Sequence, residues 1–209
     1  MSTARALIAS SASLWPRVTS HPFLRNIADG DLDDAVFRRW VAADHAFNVE
    51  YERFTAGLMS IAPTQHAAEV VGNHLAPNRV NLEVLARTAR RHKVDLDVEP
   101  GPTTIGFSSY LRALLTTGYE PSVAALYSAE KVYFDAWSAI EPKTNHSAPY
   151  WPLVENFSSE RTADALAALT LLVNNAAPDG PSAAMRTAFS RVVRFELLFW
   201  TAIYVGETW

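Results

Sequence analysis

The 209-residue chain contains no cysteine. That removes a disulfide framework, a thiolate metal site and a cysteine nucleophile together. No apolar run is long enough to cross a bilayer. The most apolar stretch, Ala163 to Val173, is interrupted by Asp164. The segment from Met1 to Trp15 has a single arginine and no long apolar core, unlike a secretory leader. Glycine-rich phosphate loops and a Gly-x-Ser-x-Gly elbow are missing too. The six histidines, His21, His45, His66, His74, His92 and His146, form no His-x-x-x-His or Glu-x-x-His pair. No resident metal or other cofactor is expected. The formal net charge of −4, without a basic stripe, argues against nucleic acid as a partner. The basic run from Arg87 to Lys93 reads as the solvated end of a helix. Together these features point to a cytoplasmic protein that neither spans a membrane nor binds nucleic acid.

What is present is helix. Half of the chain is apolar (49%), and strand-like alternation is scarce. A first helix is expected over Thr3–Leu14, stopped by Trp15-Pro16, and a second over His21–Asp29, ended by Gly30. Asp33 or Asp34 starts a long helix to about Ile61. The next runs from near Pro63 to about His92, kinked or broken at Pro77. After the loop Asp95–Pro102 come helices at Thr104–Thr117 and Pro121–Ile140. A mobile stretch, Glu141–Ala148, precedes a short segment at Tyr150–Asn156. Ser158 or Ser159 caps a helix ending near Asn175. The turn Pro178-Asp179-Gly180-Pro181 leads to a last helix over Ser182–Val205. With no long linker, one all-α domain covering residues 1–209 is expected, a compact helical bundle.

Three helices place a carboxylate among aromatic residues. Glu130, Tyr133 and Trp137 share one face, as do Glu196, Phe199, Trp200 and Ile203, and Asp44, Phe47, Asn48 and Tyr51. A buried carboxyl without a partner is costly, and its raised pKa suits proton transfer. The alternative for Glu130 is a surface carboxylate beside a half-buried aromatic stripe, for Glu196 an exposed or capped side chain, and for Asp44 a pairing with a Lys or Arg on a neighbouring helix. Spacing alone does not separate the two. One register step would turn Glu130 by roughly a hundred degrees.

The order of these segments resembles the TenA/thiaminase II family. His21-Pro22-Phe23, Ile27-Ala28-Asp29-Gly30-Asp31-Leu32, Phe37 and Asp44 are similar to its opening. Phe195-Glu196-Leu197-Leu198-Phe199-Trp200, with Ala202 and Tyr204, is similar to its closing helix. The resemblance implies a haem-oxygenase-like helical fold without haem and a homo-oligomer, tetramer or dimer. It also implies hydrolysis of a small heteroaromatic substrate, an aminopyrimidine derived from degraded thiamin. Asp44 would then hold the ring and its amino group. Glu196 would move protons at the ring and the leaving amine, with Glu130 as its partner in catalysis. Tyr133 matches a family tyrosine, and Phe47, Tyr51, Phe107, Trp137, Phe157 and Trp200 complete the expected binding set. The family's nucleophilic cysteine falls on Ala129. In this the sequence is similar to the TenA_E subgroup, which lacks that cysteine. Phe47, Phe107 and Phe157 stand where the family has tyrosines, so the stacking faces remain while hydroxyl groups are lost. A hydrolase using carboxylates as general acid and base is the leading expectation. A non-catalytic binder of a heteroaromatic ring and a carboxylate-bridged metal oxidase are the alternatives.

Overall fold

The computed structural model describes all 209 residues, and every regular element in it is helical. Eleven α-helices follow one another: α1 (Thr3–Ser10), α2 (Trp15–Thr19), α3 (Pro22–Asp29), α4 (Asp34–Ser60), α5 (Gln65–Gly72), α6 (Leu75–His92), α7 (Pro102–Leu114), α8 (Tyr119–Ile140), α9 (Trp151–Phe157), α10 (Glu160–Ala176) and α11 (Ala183–Val205). Short 3₁₀ turns at Leu115–Thr117 and Glu141–Lys143 follow α7 and α8. The expected all-α bundle is present. No helix is long and apolar enough to cross a membrane.

Helix starts carry their own caps. Asp33 Oδ1 accepts the Ala35 and Val36 amides at the head of α4. Ser159 accepts the Thr162 amide at α10 and Ser182 the Met185 amide at α11. Each satisfies a first-turn donor that the helix itself cannot. Gly30 closes α3 with φ 79°, a left-handed turn that suits glycine.

At the prolines, one expectation changes and the other is met. Trp15-Pro16 does not end the first helix; α1 has already stopped at Ser10, and Pro16 lies in the first turn of α2. The first turn of a helix has no acceptor for its amides, so a proline there costs nothing in hydrogen bonds. The stretch from Pro63 to His92 is two helices, divided at Asn73 and His74, with Pro77 inside the first turn of α6. Pro77 cannot donate to the Asn73 carbonyl, and the chain breaks at the residue left without that bond. The stretch expected to be mobile from Glu141 begins with a 3₁₀ turn, and Thr144 is buried there, its hydroxyl donating to the Ile140 carbonyl.

α8 lies at the centre. Every residue from Pro121 to Ala129 is buried, which fits a helix apolar all round and enclosed by its neighbours. It packs most extensively against α11, and also against α10, α9, α2 and α3. α4 lies against α5, α6 and α7 and touches both α8 and α11. One contiguous core of 49 buried residues links them. Beneath the site, Trp40, Trp137, Trp200 and Phe23 form a solid aromatic floor, with Phe23 and Trp200 stacked at 5.0 Å.

Candidate active site

From Ala129 onward, one face of α8 opens onto a cavity of about 60 Å³. α4 contributes Asp44, Phe47, Asn48 and Tyr51; the start of α6 contributes His74, Pro77, Asn78 and Asn81. α8 adds Ala129, Glu130, Tyr133 and Phe134, and Phe157, Thr162, Ala165 and Glu196 complete the wall. No lysine or arginine lines it.

The three carboxyl groups meet here, each in a different environment. Asp44 is 1% exposed. Its Oδ1 accepts the Tyr133 hydroxyl at 2.9 Å and its Oδ2 the Asn48 amide at 3.3 Å. Burial raises its pKa to about 7, against the pull of those two donors. Glu196 is 3% exposed and makes no hydrogen bond to the protein. Burial, with the negative charges of Asp44 and Glu130 adding to it, holds its pKa well above the usual range. Glu130 is different. Burial pushes its carboxyl up, but the His74 imidazole and the Tyr51 hydroxyl outweigh that and leave it below its ordinary value. The Tyr51 hydroxyl donates to Oε1 at 2.7 Å, and His74 Nδ1 lies 3.7 Å from the same oxygen.

Of the ten residues expected from sequence, seven line the cavity: Asp44, Glu130, Glu196, Phe47, Tyr51, Tyr133 and Phe157. Phe107, Trp137 and Trp200 do not; each stands behind the wall. Phe107 lies behind Phe47, 4.6 Å between ring centroids. Trp200 stacks on the far side of Tyr133 at 5.3 Å and 16°. Trp137, two turns beyond Glu130 and roughly 10 Å further along the axis, supports Phe157 at 5.4 Å. All three set the position of a lining ring without reaching the cavity.

Sequence reasoning missed His74, Asn78, Asn81 and Thr162. His74 and Asn78 sit where the chain changes direction, so their facing depends on where α5 breaks from α6; Asn81 lies further along α6 and Thr162 in the first turn of α10. Pro77 was the available signal, because it locates that break within a turn. Asn48 stood on the Asp44 face by spacing but had no assigned role; here its side chain ties Asp44 to α4 and its carbonyl accepts the Asn78 amide at 3.1 Å. No three His, Asp or Glu side chains are arranged to hold a metal ion.

Comparison with known proteins agrees with this architecture. A model of the TENA/THI-4/PQQC family matches residues 8–205. The aminopyrimidine aminohydrolase of Halalkalibacterium halodurans is 22% identical, the match covering 100% of this chain and 98% of that protein. The thiamine biosynthesis multifunctional protein ThiED of Corynebacterium glutamicum is 26% identical over 98% of this chain, which corresponds to 27% of that longer protein. Among solved structures, a TenA homologue from Pyrococcus furiosus superposes with a TM-score of 0.92 at 24% identity, covering 97% of this chain and 100% of that one.

Proposed function

This chain belongs to the TENA/THI-4/PQQC family, and from that premise we propose that it hydrolyses a thiamin-derived aminopyrimidine, in the manner of the cysteine-free TenA_E subgroup. The substrate is the free aminomethyl-aminopyrimidine or its N-formyl derivative. The whole chain acts as one TenA-like unit, in keeping with its single core. Two relatives named aminopyrimidine aminohydrolase, 22% and 21% identical, support the reading. The observation that carries it is the pair Glu130 and Glu196, which face one cavity with pKa values displaced in opposite directions.

Two carboxyl groups held apart in this way divide into a base and an acid at neutral pH. Glu130, kept as an anion, takes a proton from water as the water oxygen attacks carbon. Glu196, kept protonated, gives its proton to the departing nitrogen. For the aminomethyl substrate the products are the hydroxymethyl-pyrimidine and ammonia. For the formyl derivative they are formate and the free amine. A proton passes from Glu130 back to Glu196 before the next turnover. Asp44 binds the amino group and ring nitrogen of the pyrimidine; a pKa of about 7 lets it accept or share a proton with that edge. Phe47, Phe157 and Tyr133 enclose the ring. Ala129 leaves no nucleophile at the cysteine position, so no covalent thiolate intermediate forms.

Purified protein incubated with each compound should release ammonia or formate. Glu196→Gln and Glu130→Gln should each lower kcat by about a hundredfold or more. Absence of product from both compounds would overturn hydrolysis. One observation favours a second reading: Phe47 and Phe157 present bare rings where the resemblance calls for hydroxyls. A binder that does no chemistry would show tight binding of the pyrimidine by calorimetry with no product. We further propose a cytoplasmic homo-oligomer, dimer or tetramer, which light scattering and cell fractionation test.

A further inference from the structure

We propose that His74 and Tyr51 are positioning residues that clamp one oxygen of Glu130, so that the other oxygen is the basic edge presented to the reacting water. The inference rests on the hydrolysis proposed above and adds to it a role for two groups outside the carboxylate set. Both partners address Oε1: the Tyr51 hydroxyl at 2.7 Å and His74 Nδ1 at 3.7 Å. Oε2 accepts no hydrogen bond from the protein. The Glu130 side chain is 23% exposed and His74 only 2%, so the clamp is enclosed while the carboxylate faces the cavity.

Two helices and a chain break build the clamp. Tyr51 comes from α4, with its ring stacked on Phe47 at 5.7 Å. His74 stands at the junction of α5 and α6, held there by the break that Pro77 imposes. Asn78, one turn on, ties that junction to the Asn48 carbonyl of α4. Both partners are thus anchored before any ligand enters, and a carboxylate held on one edge has little freedom to swing. The other titratable groups around Glu130 are Asp44 on α4, Glu196 on α11 and Tyr133 on its own helix. All three are acids, so His74 is the one basic group in the cavity able to favour the anion.

The test compares His74→Ala, His74→Asn, His74→Leu and Tyr51→Phe. Loss of the clamp should lower kcat about ten- to a hundredfold, with a smaller change in KM. It should also move the acid limb of the kcat/KM profile to higher pH, because a carboxylate that loses donors gains protons more readily. Asparagine, whose amide stands in for Nδ1, should restore much of the rate; leucine, which restores only bulk, should not. Tyr51→Phe should shift the limb in the same direction from a different helix, and serves if the His74 variants fold poorly. An acid limb unmoved in both His74→Ala and Tyr51→Phe, or rescue by leucine as good as by asparagine, overturns the clamp. If the wild-type protein turns over neither pyrimidine, hydrolysis fails and the clamp is read separately. Carbon-13 NMR of the Glu130 carboxyl should then titrate at higher pH in His74→Ala than in the wild type. An unchanged midpoint would overturn the clamp.

Discussion

Glu130 and Glu196 enter one cavity from two helices that pack along each other, yet their surroundings are opposite. The α4 and α6 wall supplies Glu130 with a hydroxyl and an imidazole. Glu196, on α11, accepts no hydrogen bond from the protein and faces two like charges, Asp44 and Glu130. Burial alone is therefore a poor guide to a carboxyl group. What decides its proton is whether the enclosing wall brings donors.

The contrast can be broken most directly through activity. Glu196→Gln keeps the shape of the acid and removes its proton, and should abolish most turnover, by about a hundredfold or more. A variant within a few-fold of wild type would remove Glu196 from the chemistry.

The next effect is on stability, and it should have opposite signs at the two positions. The folded pKa of Glu196 lies above its unfolded value. The folded state therefore holds this proton more tightly, and its contribution to stability is lost as pH rises above about 4.5 toward the folded pKa. Glu196→Gln should raise Tm, more at pH 8 than at pH 5, at roughly 2–4 °C per kcal/mol for a chain of this size. Glu130 has a lowered pKa, so its contribution is present above about 4.5 and lost as pH falls further. Glu130→Gln should lower Tm at pH 8, and the deficit should shrink on acidification. Melting curves at three pH values check both. Equal signs would mean that the two walls are not different. Asp44→Asn should follow Glu196 more weakly, with its change falling between about pH 4 and 7.

The smallest effect sharpens the line between lining and backing residues. Trp200→Phe leaves the cavity wall in place but removes part of the stack behind Tyr133. It should cost about 1–3 kcal/mol of stability and alter KM by no more than about threefold. Thermal melts with steady-state kinetics separate the two. A large KM change with little loss of stability would return Trp200 to the binding set.

Much of the architecture was legible because it is local. Helix caps, glycine stops and apolar periodicity depend on residues within a turn or two, and they marked most elements correctly. The error fell at Pro16; at Pro77 the expected break is present, three to four residues before the proline. A proline reports only that an amide donor is missing; whether it ends a helix or begins one depends on the neighbouring turns. At the site, the spacing Asp44-Phe47-Asn48-Tyr51 placed four lining residues on one face. The longer reach from Glu130 to Trp137 overshot, because the cavity closes one turn earlier, at Phe134.

By itself, then, the chain's sequence determined that it is helical, that it lacks a thiol, and that three helices each carry a carboxyl group among aromatic rings. Those are properties of residue type and of a 3.6-residue period. Tertiary structure alone decided that the three carboxyls share one cavity, that His74 and Tyr51 meet on a single oxygen of Glu130, and that Glu196 is left without a partner. A pKa depends on groups brought within a few ångströms from distant parts of the chain, and no local pattern records which wall will carry the donors.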